Sequence, residues 1–166
     1  MKTLIVIRHG KAEAYDAKPD DFDRVLAERG RLNAAAIGNY ILKKSGVPEL
    51  ILSSSAKRTM ETASLAAKEM GYAVGEIHAD KNLYLASARR ILLIINNLSD
   101  NYNSCLIVGH NPGLTELINQ LNVRLDNLPT GSAACFTFNC DTWHEISPKN
   151  TRFQWIQFVR ELKVES

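Results

Sequence analysis

The chain opens on a short hydrophobic run, Leu4-Ile5-Val6-Ile7, that stops abruptly at Arg8-His9-Gly10. Four consecutive apolar residues, three of them β-branched, predict a strand buried on both faces. Similar runs recur at Leu50-Ile51-Leu52 and at Cys105-Leu106-Ile107-Val108. Between them the apolar positions take a helical period. Leu32 to Lys44 carries Leu32, Ala35, Ala36, Tyr40 and Leu42 on roughly one face and is ended by Gly46 and Pro48. A second helix is predicted over Lys57 to Met70, entered through Ser53-Ser54-Ser55 as an N-cap region and stopped at Gly71. Leu83 to Leu98 and Leu114 to about Leu121 predict two more. A further strand is expected around Tyr72 to Ile77. A polar loop, Lys11 to Asp23, contains Pro19. The end of the chain differs: Ala133 to Asn139 and Arg152 to Val159 read as strands joined by a polar turn.

Strand-helix alternation closed by a terminal hairpin predicts an α/β fold, a three-layer sandwich with a mostly parallel central sheet flanked by helices. At 166 residues the chain suits a single domain, 1–166, with a sizeable core. A content of 45 % hydrophobic and 23 % charged residues is that of an ordinary globular protein. The net charge of +2 is too weak to point to nucleic acid or an anionic membrane, so any anion recognition must be local. Cys105, Cys135 and Cys140 are odd in number and form no CxxC pair, which indicates neither a disulfide framework nor a zinc site. The run before Arg8 is too short for a secretory leader, and Ile91 to Ile95 is too short to cross a bilayer. A cytoplasmic monomer, without membrane or nucleic-acid partners, is expected.

Three predicted strands share one kind of ending: Arg8-His9-Gly10, Ser53-Ser54-Ser55 just before Arg58, and Gly109-His110-Asn111. If the strands run parallel, their carboxyl ends meet on one rim of the sheet, where ligands of open α/β sheets bind. Taken singly, Arg58 reads as a solvated charge on a helix and His110 as a structural residue. Taken together, two guanidiniums and two imidazoles without a cluster of carboxylates repel one another. A multiply charged anion such as phosphate at their centre would stabilise them. Helix starts after Ser55 and after Pro112 offer backbone N–H donors to the same place.

The ordered set of motifs resembles the histidine phosphatase superfamily, the phosphoglycerate-mutase-like fold. The resemblance rests on Leu4-Ile5-Val6-Ile7-Arg8-His9-Gly10, on Ser53 to Ala63 around Arg58, and on Val108-Gly109-His110-Asn111-Pro112-Gly113-Leu114. Lys11 after the Arg-His-Gly motif, the Asp21-Phe22-Asp23-Arg24-x-Leu26-x-x-Arg29-Gly30 segment, the Gly-His-Asn-Pro-Gly motif and the compact length are similar to the SixA-like phosphohistidine phosphatases. The likeness weakens after about Cys140. Ser55 stands where the family often has a proline, a departure expected to alter the turn but not the chemistry.

The resemblance implies that His9 is the nucleophile, forming a phosphohistidine that water then hydrolyses. Arg8 and Arg58 would hold the phosphoryl oxygens, with His110 donating to them when protonated. Repulsion from Arg8, Arg58 and His110 should keep the His9 imidazole neutral, as attack requires, and a backbone carbonyl on its other nitrogen would fix the tautomer. No metal and no cofactor is called for. Arg24 is either a further substrate contact or the ion-pair partner of Asp21 or Glu28. Thr130-Gly131-Ser132 is a candidate for the rim, while His78 and His144 read as surface residues and Trp143 and Trp155 as packing.

A general acid is harder to place: larger members of the superfamily carry a Glu or Asp shortly before the region corresponding to Leu83-Tyr84-Leu85 or within it, and here no carboxylate occurs from Lys81 to Ser99. Asp80, Asp23 and Glu13 are weak substitutes. The gap suits a phosphohistidine substrate, whose imidazole leaves neutral when protonated on its remote nitrogen. The expected activity is therefore hydrolysis of a protein phosphohistidine, with a phosphorylated protein as partner. A phosphatase of small phosphorylated substrates and a non-catalytic phosphate-binding module are the alternatives.

Overall fold

The computed structural model describes residues 1–14 and 20–163. The core of the expected Lys11 to Asp23 loop, residues 15–19, lies outside the described residues. Among the described residues six strands form one sheet in the order β3-β2-β4-β1-β5-β6. They are β1 (Lys2–Arg8), β2 (Leu50–Ser54), β3 (His78–Asp80), β4 (Ser104–Gly109), β5 (Ala133–Phe138) and β6 (Thr151–Gln157). β1, β2, β3 and β4 are parallel, whereas β5 runs antiparallel to both β1 and β6. The α-helices among the described residues, which cover the sheet, are α1 (Glu28–Ser45), α2 (Lys57–Met70), α3 (Ala88–Asn96) and α4 (Gly113–Gln120).

The unbroken apolar runs make sense once both faces are covered. Ile5, Ile7, Ile51, Leu106 and Val108 join one buried cluster with Ile37 and Ile41 of α1 and Ala63, Ala66 and Met70 of α2. Their neighbours Leu4, Val6, Leu52 and Ile107 join the other with Ile91 and Ile95 of α3 and Leu114 and Leu117 of α4. Adjacent strand residues point to opposite faces, so each face takes every second side chain. The result is the three-layer α/β sandwich. α1 and α2 approach closely because Gly38 has no side chain: a Cβ there would sit 2.7 Å from the Ala66 backbone.

Several expected boundaries are corrected. α1 starts at Glu28, four residues before Leu32, because Gly30 and its neighbours already pack against the loop after β1. The strand expected over Tyr72 to Ile77 is instead a 3-10 turn at Val74–Glu76, and β3 follows at His78–Asp80. Tyr72 is diverted to hold the edge of β2, its hydroxyl accepting from the Ile51 amide. The helix expected from Leu83 begins at Ala88, capped by the Ser87 side chain. A 3-10 turn at Lys81–Leu83 precedes it. Ser53 and Ser54 end β2 rather than cap α2, whose N-cap residue is Ala56 without a side-chain bond. Ser55, at the departure from the family pattern, lies in a bend between them.

The cysteines are unpaired. Trp143 is fully buried, and Trp155 packs edge-on against Tyr40, with ring centroids 5.2 Å apart. His78 and His144 are exposed. No helix among the described residues is long and apolar enough to cross a membrane.

Candidate active site

Strand register builds the site. Arg8 at the end of β1 pairs with Gly109 at the end of β4, and Ser53 near the end of β2 pairs with Val108. Residues just past these ends, His9 and His110, therefore face each other with ring centroids 5.4 Å apart. Arg58, in the first turn of α2, comes in between. Its Nε donates to His9 Nε2 at 3.4 Å, and its Nη2 reaches His110 Nδ1 at 3.4 Å. His9, Arg58 and His110 are all buried. The rim expected from the sequence exists, and it gathers Arg8, His9, Arg58 and His110.

Each side chain is held from behind. His9 Nδ1 lies 2.7 Å from the Gly10 carbonyl. The Gly10 amide in turn donates to Thr62 Oγ1 on α2, and Thr62 donates to the Arg58 carbonyl. Gly131, with φ of 74°, donates its amide to the carbonyls of both Arg8 and His9 at 2.9 Å. The Thr130-Gly131-Ser132 turn thus reaches the rim as backbone support. Arg8 Nη1 donates to the Leu128 carbonyl, which also accepts from Asn111 Nδ2. Arg8 Nε is buried with no hydrogen-bond partner among the described residues, a donor that a bound oxyanion would satisfy.

The electrostatics depart from expectation in two ways. His9 is pushed down to about 4, foremost by burial, with Arg58, Arg8 and Arg24 adding to the effect and the Gly10 carbonyl opposing it. Desolvation, rather than repulsion among cations, is the main reason its ring stays neutral. His110 is pushed down to about 3, again chiefly by burial, then by His9 and Arg58. Its Nδ1 must accept from Arg58, since a guanidinium only donates, so its Nε2–H donates to Ser54 Oγ at 2.8 Å. His110 is thus a neutral ring, whereas the donation to phosphoryl oxygens expected of it holds only when it is protonated. A bound phosphoryl dianion would favour its charged form.

A carboxylate other than the three considered as acids, Asp21, also reaches the site. Asp21 Oδ2 accepts from Arg58 Nη2 at 3.1 Å and from the Tyr84 hydroxyl. Its Oδ1 accepts from Arg24 Nη2 at 3.0 Å and Nε at 3.1 Å. Partial burial alone would raise the Asp21 carboxyl, but Tyr84, Arg58 and Arg24 together outweigh it and hold it below the usual range. Arg24 therefore takes the ion-pair alternative with Asp21, and its Nη1 also donates to the Glu13 carbonyl. Tyr84 touches His110 edge-on at 5.3 Å and Phe22 edge-on at 5.0 Å. Sequence reasoning passes over Tyr84, Ser54 and Thr62, and sees in Asp21 no more than a partner for Arg24. The signals are faint: Thr62 lies one helical turn after Arg58, and Asp21 lies in the segment that also carries Arg24. No group of three His, Cys, Asp or Glu among the described residues is placed to hold a metal ion.

A histidine with a fixed tautomer stands at a strand end beside two arginines and a second histidine, a set of groups suited to holding a phosphate-sized oxyanion. The sequence profile of the histidine phosphatase superfamily (branch 1) matches residues 4–84, which carry Arg8, His9 and Arg58. The chain belongs to this superfamily, and the activity this membership supports is that of a phosphatase.

An uncharacterized chloroplastic protein of Arabidopsis thaliana is 29 % identical over 152 residues, covering 87 % of this chain and 70 % of that protein. A protein of Mycobacterium tuberculosis is 31 % identical over 111 residues, covering 67 % of this chain and 66 % of that protein. Among solved structures, the protein histidine phosphatase SixA complexed with tungstate superposes with a TM-score of 0.80 at 17 % identity, covering 95 % of this chain and 97 % of that one. A mycobacterial glucosyl-3-phosphoglycerate phosphatase complexed with VO3 gives 0.70 at 16 %, covering 93 % and 98 %. At these identities the two structures share the fold with this chain.

Proposed function

We propose that this protein is a phosphohistidine phosphatase that removes the phosphoryl group from a histidine of a partner protein without a metal ion. The observation that carries the reading is the state of Asp21, the carboxylate bound to Arg58. Arg58, Arg24 and Tyr84 hold it as an anion, so it has no proton to give to an alkoxide leaving group. A phosphohistidine protonated on its remote nitrogen needs none, because its imidazole leaves as a neutral ring.

The neutral His9 Nε2 attacks phosphorus while the P–N bond to the substrate imidazole breaks. The new Nε2–P bond is then broken by water, which releases inorganic phosphate and restores the His9 lone pair. Arg58 and Arg8 supply the positive charge that the three transferring oxygens require. That role needs no divalent cation.

The test compares turnover of a phosphohistidine-bearing protein with that of alkyl phosphate esters, both in excess chelator. His9→Ala, confirmed folded by circular dichroism, serves as the control. Faster turnover of the phosphohistidine substrate, lost in His9→Ala, is expected. Preference for the alkyl esters would instead make the chain a small-molecule phosphomonoesterase, and dependence on added metal would overturn the metal-free mechanism.

A further inference from the structure

Arg58 presents two edges, and they face different neighbours. At its tip, Nη1 donates to the Asp21 main-chain carbonyl at 2.6 Å and Nη2 donates to Asp21 Oδ2 at 3.1 Å. One residue thus closes the end of the fork through both its backbone and its side chain. Along the inner edge, Nε and Nη2 face His9 Nε2 and His110 Nδ1, each at 3.4 Å. Those two contacts are long for N–H donors and lie beside the attacking nitrogen. We propose that Asp21 is a positioning residue: gripping Arg58 by its tip, it aims the Nε–Nη2 edge at the phosphoryl group to be carried by His9. The inference rests on reading this pocket as a phosphoryl-transfer site.

Asp21 is itself anchored well enough to set an angle. Arg24 takes its other oxygen through two nitrogens, and Tyr84 donates to the oxygen that Arg58 uses. Phe22, the next residue, packs edge-on against Tyr84, so the hydroxyl and the carboxylate approach from a braced pair of rings. Arginine needs such a grip: its planar fork binds oxyanions in two-point fashion only when its plane is fixed, and its long stem leaves that plane free to turn. Asp21 also supplies one negative charge among Arg8, Arg24 and Arg58.

A rival reading makes Asp21 a stand-in for phosphate that substrate must displace. The two readings predict opposite signs. A stand-in would occupy the inner edge next to His9 Nε2, whereas Asp21 occupies the tip.

The experiment measures tungstate binding by calorimetry and the single-turnover rate of His9 phosphorylation by phosphoramidate, in wild type, Asp21→Ala, Asp21→Asn and Tyr84→Phe. Loss of aim should weaken tungstate by about 10- to 100-fold in Asp21→Ala and slow His9 phosphorylation by at least as much. Asp21→Asn keeps an acceptor oxygen for Nη2 and should recover most of both. Tyr84→Phe removes only one anchor of Asp21 and should shift both in the same direction by a smaller factor. It also decides the matter should Asp21→Ala fail to fold. Unchanged or tighter tungstate binding in folded Asp21→Ala, or no shift in Tyr84→Phe, would overturn the proposal. A merely structural role would lower the melting temperature and leave the tungstate affinity alone. Wild type that neither binds tungstate nor labels at His9 would count instead against the phosphoryl-transfer reading of the pocket.

Discussion

The Nδ1 atom of His9 sits 2.7 Å from the carbonyl oxygen of Gly10, the very next residue. A carbonyl only accepts, so Nδ1 carries the proton and the lone pair lies on Nε2, where Arg58 Nε also finds it. One local contact thus leaves the Nε2 lone pair free for the attack proposed above, and the strand end that supplies it is fixed by the sheet.

The first prediction concerns the acid limb of activity. Attack needs the neutral ring, and burial has moved His9 from its ordinary 6.5 to about 4. The rate of His9 phosphorylation should therefore hold as pH falls through 6.5 and drop only near 4. A limb centred near 6.5 in single-turnover measurements would mean that the pocket is wetter than the buried ring implies.

The two buried rings also dictate how stability follows pH. Both His9 and His110 have folded-state values below their unfolded ones, so the unfolded chain binds more protons and acid favours it. Their contribution is unaffected above about pH 6.5 and erodes as pH falls from there toward 4. A tenfold change in proton affinity is worth about 1.4 kcal/mol, so the pair should remove on the order of 3–6 kcal/mol across that window. Urea unfolding at pH 7 and pH 4.5 measures it, and replacing both rings by Asn or Gln should flatten the slope. Equal stability at the two pH values would refute the buried, neutral assignment.

The fold and the four central residues are legible in the sequence because they leave strong local signals. Uninterrupted apolar runs mark strands covered on both faces, and three such runs end in Arg-His-Gly, in serines before Arg58, and in Gly-His-Asn. Parallel connectivity alone then requires the ends to meet. What stays hidden depends on side-chain direction across loops. Asp21 is one of several carboxylates in an acidic stretch, and nothing local distinguishes it from Asp23. Only the folded chain shows that Asp21 meets Arg58 and Tyr84, the latter 63 residues away. The segment Tyr72 to Ile77 misleads for a related reason. It carries the apolar residues of a strand, yet Tyr72 is drawn off to the edge of β2 and the strand forms only at His78.

Arg58→Lys tests whether shape or charge matters at the second arginine. All three guanidinium nitrogens have partners in the structure, on two distinct edges. A lysine keeps the charge but offers one nitrogen, so it cannot meet Asp21 and a phosphoryl group with paired donors at once. Turnover should fall by about 100-fold or more, with the chain still folded. Near wild-type kcat/KM in the lysine variant would show that charge alone suffices.

Thr62→Val separates support from chemistry. The Thr62 hydroxyl accepts from the buried Gly10 amide at 3.0 Å and donates to the Arg58 carbonyl at 2.8 Å. Valine keeps the shape and strands the Gly10 N–H without a partner, which costs about 1–3 kcal/mol. The Gly10 carbonyl that aims His9 belongs to the same residue, so kcat should fall along with stability. A variant that loses stability in urea titration but keeps full kcat would show that the His9 tautomer is held independently of this link.

The last prediction is Gly30→Ala, a change well away from His9 in sequence yet next to the site in space. A Cβ on Gly30 would meet the Lys11 carbonyl at 2.1 Å, and one on Gly10 would meet the Gly30 carbonyl at 2.7 Å. Both obstacles are backbone, so neither can swing aside as a flexible side chain would. Gly30 also lies in the first turn of α1, where alanine by itself would be favoured over glycine. Helix propensity thus predicts a gain of up to about 1 kcal/mol, and the steric contact predicts a loss of about 1–3 kcal/mol or more. The contact should win, because moving Lys11 also moves Gly10 and with it the carbonyl bound to His9. The expected outcome is a lower melting temperature together with reduced His9 phosphorylation. A stabilised, fully active Gly30→Ala protein would show that the loop after β1 yields freely, and that the aim of His9 does not depend on the close approach of α1.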